Sequence, residues 1–347
     1  MTSKTPSGIT ESKSSGAVRC LANTIPSSSC ILFLCSFVSS LTLSKDGCTK
    51  VTCSLLGLVA VYLTYRAACL YQGKDNLPLL YLLGLFPSIV FWGSILGKDP
   101  ITLFGIAIFI ASVVGFTTKG GGLHFIVWGA LGIVIAASMR MWLAVIFLAP
   151  LIVVLLFGRI KPFGRILLLV LTLVAGTFVI GQLMERFAIE TTEDLLITAD
   201  VFSQVVGGGG SALEIEGGFR DWEGVAAFLP WAAFTILFRP IPGEVMNPFG
   251  LLAGAENAVL LWLLYRVVIS RNLGRLAEPL VAWAVLTIVF WATVYAIFAY
   301  QNLGMAFRFK LQVMPLLVLL LLYLGSRPER LNKRGPQSGV VEYSKSG

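Results

Sequence analysis

Ten apolar runs, most of them about as long as a lipid bilayer is thick, set the first limit on the fold of this chain. A transmembrane helix needs about 20 apolar residues, and the runs occupy 27–43, 51–71, 77–97, 100–116, 121–138, 141–158, 165–184, 250–270, 277–299 and 310–325. Only 13% of the 347 residues are charged, against about 25% in soluble domains. The sequence therefore predicts an all-α polytopic membrane protein with about ten transmembrane helices, and it excludes a soluble globular domain.

The first run, 27–43, is the most polar, because serines interrupt its apolar stretch. A cleaved signal peptide is the alternative, but no small-x-small cleavage site follows the run, which favours an uncleaved span. We expect a single membrane domain over 27–325. Residues 1–26 and 326–347 are predicted to form flexible cytoplasmic ends.

Lysine and arginine predict the orientation of the protein in an inner or plasma membrane. With both termini cytoplasmic, 17 of the 26 basic residues lie inside and 9 lie outside, as the positive-inside rule requires. An eleventh apolar run, 225–238, is short and contains Pro230, which favours a re-entrant or interfacial segment over a span. If it did cross, a basic cluster would be forced outside. The result is one long external loop, 185–249.

The external side of this topology holds charged groups suited to anion chemistry. The arginines that break the positive-inside trend include Arg220, Arg239 and Arg308. They are either solvated or bound to lipid phosphate, or they bind a pyrophosphate, which matches the planar guanidinium fork. Glu256 lies about a turn and a half into the eighth span, where a carboxylate must pair with a cation or line a wet cavity.

Several function classes lose their strongest support. The chain lacks the motifs GxxxxGK[ST], HExxH and GxSxG and has a single histidine, so we expect no metal and no nucleotide or other cofactor. The net charge of +8 is accounted for by basic residues retained on the cytoplasmic side. Nucleic acid is therefore not an expected partner.

Two late stretches of the chain have a familiar pattern. The first is FRPIPGE at 238–244, followed by Asn247, Leu252 and Glu256; the second is NLGMAFRFK at 302–310, followed by Gln312 and Pro315. Together with one dominant external loop, they resemble bacterial polysaccharide polymerases of the O-antigen polymerase and O-antigen ligase superfamily. The resemblance in motif covers about 219–315, and the first seven spans match in layout only.

The resemblance implies a glycosyltransferase that polymerises undecaprenyl-diphosphate-linked oligosaccharide repeat units into a surface polysaccharide at the external face. By position, it makes Arg220, Arg239 and Arg308 the candidates for binding the diphosphate. The ligase branch uses a histidine in its external region and this chain has none there, which favours a polymerase. The implied partners are the lipid-linked glycan, membrane lipids and other polysaccharide assembly proteins.

The transfer reaction also needs a proton acceptor for the attacking hydroxyl. The candidate catalytic carboxylates are Glu244, Glu256 and Glu223. Two alternatives stay open. A multispan glycosyltransferase that uses a polyprenyl-phosphate sugar usually carries acidic residues in its first external loop, where this chain offers only Asp46. A transporter or flippase of lipid-linked glycans often shows internal repeats, and the sequence has no convincing halving.

Overall fold

A computed structural model of the protein describes residues 45–158, 162–187, 222–270, 272–300 and 302–326, together with isolated positions between 189 and 201. Within these residues the chain is helical and contains no β-strand. The elements are α1 (Lys45–Gln72), α2 (Leu77–Leu85), α3 (Pro87–Ser94), α4 (Lys98–Thr118), α5 (Leu123–Met139), α6 (Trp142–Leu148), α7 (Leu151–Phe157), α8 (Pro162–Phe187), α9 (Trp222–Phe238), α10 (Pro248–Ser270), a 3-10 helix (Leu273–Ala277), α11 (Pro279–Ala299), α12 (Leu303–Lys310) and α13 (Met314–Gly325).

Fewer helices than expected are long enough to cross a membrane. Five of the described helices qualify by length and hydropathy, or seven if each bent pair counts as one span, so the all-helical membrane class is supported and the count of about ten is not confirmed. The first predicted run, 27–43, lies outside the described residues.

Prolines account for part of the difference in count. Pro87 begins α3 after a bend of 61° from α2, and Pro150 separates α6 from α7. Proline lacks the backbone N–H that continues a helix and clashes with the preceding turn. The apolar runs at 77–97 and 141–158 are therefore each divided into two short helices, although their hydropathy is continuous.

The helix α4 is the most buried of the candidate spans, and it packs between α1 and α5. Within the apolar window of α4, 78% of the residues are buried. Gly105 of α4 and Gly132 of α5 let the two backbones approach closely, since a Cβ atom on Gly132 would lie 2.7 Å from the Gly105 carbonyl oxygen. Small residues at such crossings are typical of helices that pack within membranes.

A second group of helices packs around α11. Trp283, Trp291 and Tyr295 of this helix are almost completely buried, and α6, α7, α9, α12 and α13 all contact it. The helix α9, which covers the run predicted to be re-entrant or interfacial, packs beside α11. With 17 residues, α9 is shorter than the roughly 20 residues that a span needs.

The helix α8 stands apart from the rest of the described bundle. None of its apolar 18-residue window is buried, and its main contacts are with the short helices α6 and α7. The side of α8 that faces α11 is separated from it by a cavity.

Polar side chains gather at two ends of the bundle. At the first, which we call the arginine end, Asp99 pairs with Arg140 and Arg308. At the opposite end, the Glu278 carboxylate accepts hydrogen bonds from the hydroxyls of Tyr71 and Tyr323. The 21 residues of α11 span about 30 Å between these ends. This grouping agrees with the predicted topology, in which the first set is external, while the absolute orientation stays a prediction.

Candidate functional site

Asp99 is the centre of the arginine end. It lies in the first turn of α4 and is 3% exposed. Its Oδ1 accepts a hydrogen bond from Arg140 Nη2 at 3.1 Å, and its Oδ2 accepts one from Arg308 Nε at 2.6 Å. Because a buried charge is costly unless it is paired and hydrogen-bonded, this carboxylate holds three separate parts of the chain together.

Both arginines are also covered by aromatic rings. The Arg140 guanidinium carbon lies 4.1 Å from the centre of the Phe309 ring, and that of Arg308 lies 5.1 Å from the centre of the Trp92 ring. Cation–π contacts of this kind stabilise a cation that has lost part of its water. Since one carboxylate faces two cations, the cluster keeps a formal charge of +1 that is available to an anion.

The helix α12 places Arg308 and Lys310 in different environments. The Asn302 side chain caps its N-terminus by accepting a hydrogen bond from the Met305 N–H at 3.0 Å, a standard way to begin a helix. Residues two apart point in different directions on a helix. As a result, the Arg308 side chain is 39% exposed and Lys310 is 0% exposed.

Lys310 belongs to a second, fully buried cluster with Glu256 and Asn257. Its ammonium group donates to the Asn257 side-chain oxygen and to the Leu237 carbonyl oxygen, and it lies close enough to Glu256 for an electrostatic interaction. The sequence predicted that the Glu256 carboxylate would need a cation or a wet cavity. Lys310 is a cation near it, while the direct bonds of the Lys310 ammonium go to Asn257 and Leu237.

One oxygen of Glu256 is held by a helix N-terminus. Its Oε2 accepts a hydrogen bond from the Ser88 N–H at 2.8 Å, within the first turn of α3, where backbone N–H groups have no partner inside the helix. Its other oxygen, Oε1, is buried and has no hydrogen-bond partner among the described residues. Glu256 therefore retains an unused acceptor inside the bundle.

Arg239 and Glu244 form a clamp at the turn between α9 and α10. The Arg239 guanidinium donates to both Glu244 oxygens, and Glu244 Oε2 also accepts the Ile241 N–H at 2.9 Å. Partial burial raises the pKa of Glu244, but the hydrogen bonds from Arg239 and Ile241 outweigh that effect and hold the pKa below its usual value. At neutral pH, Glu244 is consequently an ionised partner of Arg239.

The clamp is tied to the buried cluster. Asn257 donates a hydrogen bond from Nδ2 to the Pro240 carbonyl oxygen at 2.9 Å while its Oδ1 accepts from Lys310. Arg239 and Arg308, which the sequence predicted as anion-binding residues, are thus connected through α12 at one end of the bundle. Glu223 lies exposed in the first turn of α9, and Arg220 lies outside the described residues.

A cavity of about 570 Å³ lies beside the Asp99 cluster. Its polar lining includes Lys98, Arg140, Arg186 and Tyr295, and its other walls are mostly apolar side chains of α5, α6, α8 and α11. Sequence reasoning did not single out these residues or Asp99. Only their position in the sequence pointed to a site. Four of them flank predicted spans on the side predicted to be external: Lys98, Asp99, Arg140 and Arg186.

Comparison of the chain with protein-family models, with curated proteins and with solved structures finds no match.

Proposed function

We propose that the protein polymerises undecaprenyl-diphosphate-linked oligosaccharide repeat units into a surface polysaccharide at the external face of the membrane. The observation that supports this most is the meeting of Asp99, Arg140 and Arg308, from three separate elements, beside a largely apolar cavity. A lipid-linked diphosphate needs this combination, because cations stabilise its head group and apolar walls accommodate its tail.

The proposed reaction is a displacement at an anomeric carbon. The hydroxyl oxygen of an acceptor sugar forms a bond to that carbon, the bond from the carbon to the diphosphate oxygen breaks, and the hydroxyl proton passes to a carboxylate. Undecaprenyl diphosphate leaves with the bonding electron pair. Arg308 and Arg239, with Arg220 by resemblance, are proposed to stabilise the developing negative charge, worth about 3–4 kcal/mol for each well-placed donor.

The three candidate carboxylates differ in their access to a sugar hydroxyl. Glu244 is engaged by Arg239, Glu256 is 3% exposed with one unused oxygen, and Glu223 is exposed. Replacing each carboxylate by glutamine identifies the proton acceptor. Only the variant that lacks the acceptor should lose polymerisation and still bind the lipid.

The role of Arg308 is tested by Arg308→Ala in the native host. Asp99 still pairs with Arg140 in this variant, so no buried carboxylate is left without a counter-ion. We expect the surface glycan to carry single repeat units in place of a ladder of lengths. The matched control is Arg66→Ala, because Arg66 forms an exposed ion pair with Asp75. An unchanged ladder in the Arg308 variant alongside a normal control would contradict the assignment.

The proposed sidedness has its own test. A reporter that is active only outside the cytoplasm should be active when fused at residue 212 and inactive when fused at residue 162. The opposite result would place the arginine end in the cytoplasm, where an external polymerase could not use it.

Transport of lipid-linked glycans is the second candidate, because the same cavity would suit a lipid-linked anion in transit. Deletion of a flippase should cause undecaprenyl-linked repeats to accumulate on the cytoplasmic face. Deletion of a polymerase should instead leave single repeats on the external face.

A further inference from the structure

The proposed function leaves open which groups of the cavity between α8 and α11 hold the lipid. We propose that its basic end binds the phosphate or diphosphate head group of a lipid, that Arg140 is the principal ligand, and that the tail leaves between α8 and α11. The identity of the lipid as a polyprenyl diphosphate rests on the proposed function, whereas the site rests on the geometry below.

Arg140 is held in place by the protein, and one of its guanidinium nitrogens has no partner among the described residues. Its side chain is 9% exposed, its Nη2 is bound to Asp99, and its face lies on the Phe309 ring. Its Nη1 is buried and has no hydrogen-bond partner among the described residues, although Arg140 lines the cavity. Because an unsatisfied buried donor is costly, an anion that reaches this nitrogen would supply a hydrogen bond that the described residues leave unmade.

Asp99 and Phe309 fix the position of Arg140 before any ligand arrives. A guanidinium held from two directions loses little conformational freedom on binding, and preorganisation of this kind increases affinity. Asp99 is therefore a positioning residue in this proposal, and Arg140 is the residue that contacts the head group.

Other groups at the same end favour an anion. The Tyr295 hydroxyl accepts a hydrogen bond from Trp142 Nε1 at 2.8 Å, so its own proton remains to be donated to a ligand. Lys98 and Arg186 add positive charge at the ends of α4 and α8. Among the described residues that line the cavity there is no carboxylate.

The remaining walls favour an apolar tail. One wall is formed by Ile180, Leu183 and Met184 of α8, and the facing wall includes Phe290 and Val294 of α11. Since none of the apolar window of α8 is buried, this helix has apolar side chains on the cavity and on the surface that lipid would contact. The volume of about 570 Å³ falls within the usual range for small-molecule sites, roughly 300–1,000 Å³, which accommodates a head group and the first part of a tail.

Binding by the purified full-length protein tests the site. The probe is geranylgeranyl diphosphate, and the competitors are inorganic pyrophosphate and neutral geranylgeraniol. We expect Arg140→Gln to weaken binding of the probe by about tenfold or more, as for loss of a hydrogen bond to a charged group. The matched control Arg66→Gln should bind like the wild type.

A second variant keeps the test valid if Arg140→Gln fails to fold. Val294→Trp leaves the Asp99 ion pairs intact and fills the apolar part of the cavity, so it should weaken binding of the diphosphate lipid. The proposal is overturned if the wild type does not bind the lipid, if both variants bind as well as the wild type, or if inorganic pyrophosphate competes as well as the lipid, which would mean that no tail is bound.

Failure of this proposal and failure of the proposed function give different results. If Arg140→Gln abolishes lipid binding but leaves the glycan ladder of the host unchanged, the site stands and the polymerase assignment fails. If Arg308→Ala removes the ladder while Arg140→Gln and Val294→Trp leave lipid binding unchanged, the polymerase assignment stands and this site fails.

Discussion

Replacement of Asp99 by asparagine is the sharpest test of the arginine end. The substitution keeps the shape of the side chain and removes its charge, so Arg140 remains buried, with a 9% exposed side chain, and loses its counter-ion. Removing one partner of a buried ion pair typically costs about 3–5 kcal/mol, because the remaining charge is left uncompensated.

Three local features set the expected value near the lower end of that range. The asparagine oxygen can still accept one hydrogen bond from Arg140. The Phe309 ring retains its cation–π contact with Arg140, which is worth up to about 2 kcal/mol when desolvated. Arg308, with a 39% exposed side chain, returns partly to water and adds little. We therefore expect Asp99→Asn to lower the free energy of unfolding by about 3 kcal/mol.

The measurement is reversible unfolding in mixed micelles of a mild detergent and SDS, followed by circular dichroism. Asp75→Asn is the matched control, because the Asp75 and Arg66 side chains are 75% and 56% exposed and such pairs contribute less than about 1 kcal/mol. The double variant Asp99→Asn with Arg140→Gln should lose less than the sum of its single changes, since it contains no unpaired buried charge. Equal stability of Asp99→Asn and Asp75→Asn would refute the reasoning.

Two further predictions concern packing and pH. Gly132→Ala should destabilise the protein by about 1–3 kcal/mol, because the new Cβ would lie 2.7 Å from the backbone of α4. The control Gly176→Ala should leave stability unchanged, because no atom lies within 4 Å of its new Cβ. Equal unfolding midpoints for the two variants would contradict the close approach of α4 and α5. The Arg239–Glu244 clamp should contribute constant stability above the ordinary glutamate pKa and lose that contribution as pH falls through the lowered native pKa of Glu244. Glu244→Gln should remove this part of the pH dependence, and an unchanged profile would argue against the clamp.

Much of the helical framework could be predicted from hydropathy. The runs 51–71, 100–116, 165–184 and 250–270 each coincide with one helix, because burial of apolar side chains and satisfaction of backbone hydrogen bonds favour a helix wherever about 20 apolar residues follow one another. The breaks at Pro87 and Pro150 were missed because an average over a window is insensitive to a single absent N–H. In the candidate site, the sequence predicted that Glu256 needs a cation or a wet cavity, since a lone carboxylate in an apolar segment is too costly.

Sequence alone therefore determined the helical membrane class of the protein, and it predicted the side on which its charged residues gather. It did not determine which of those residues meet. Asp99 contacts Arg140 across 41 residues and Arg308 across 209 residues, and neither contact has a local signal in the short segments that carry these side chains. Hydropathy reports the transfer free energy of one segment at a time, whereas an ion pair depends on the distance between segments, which only the packing of α4, α5 and α12 decides.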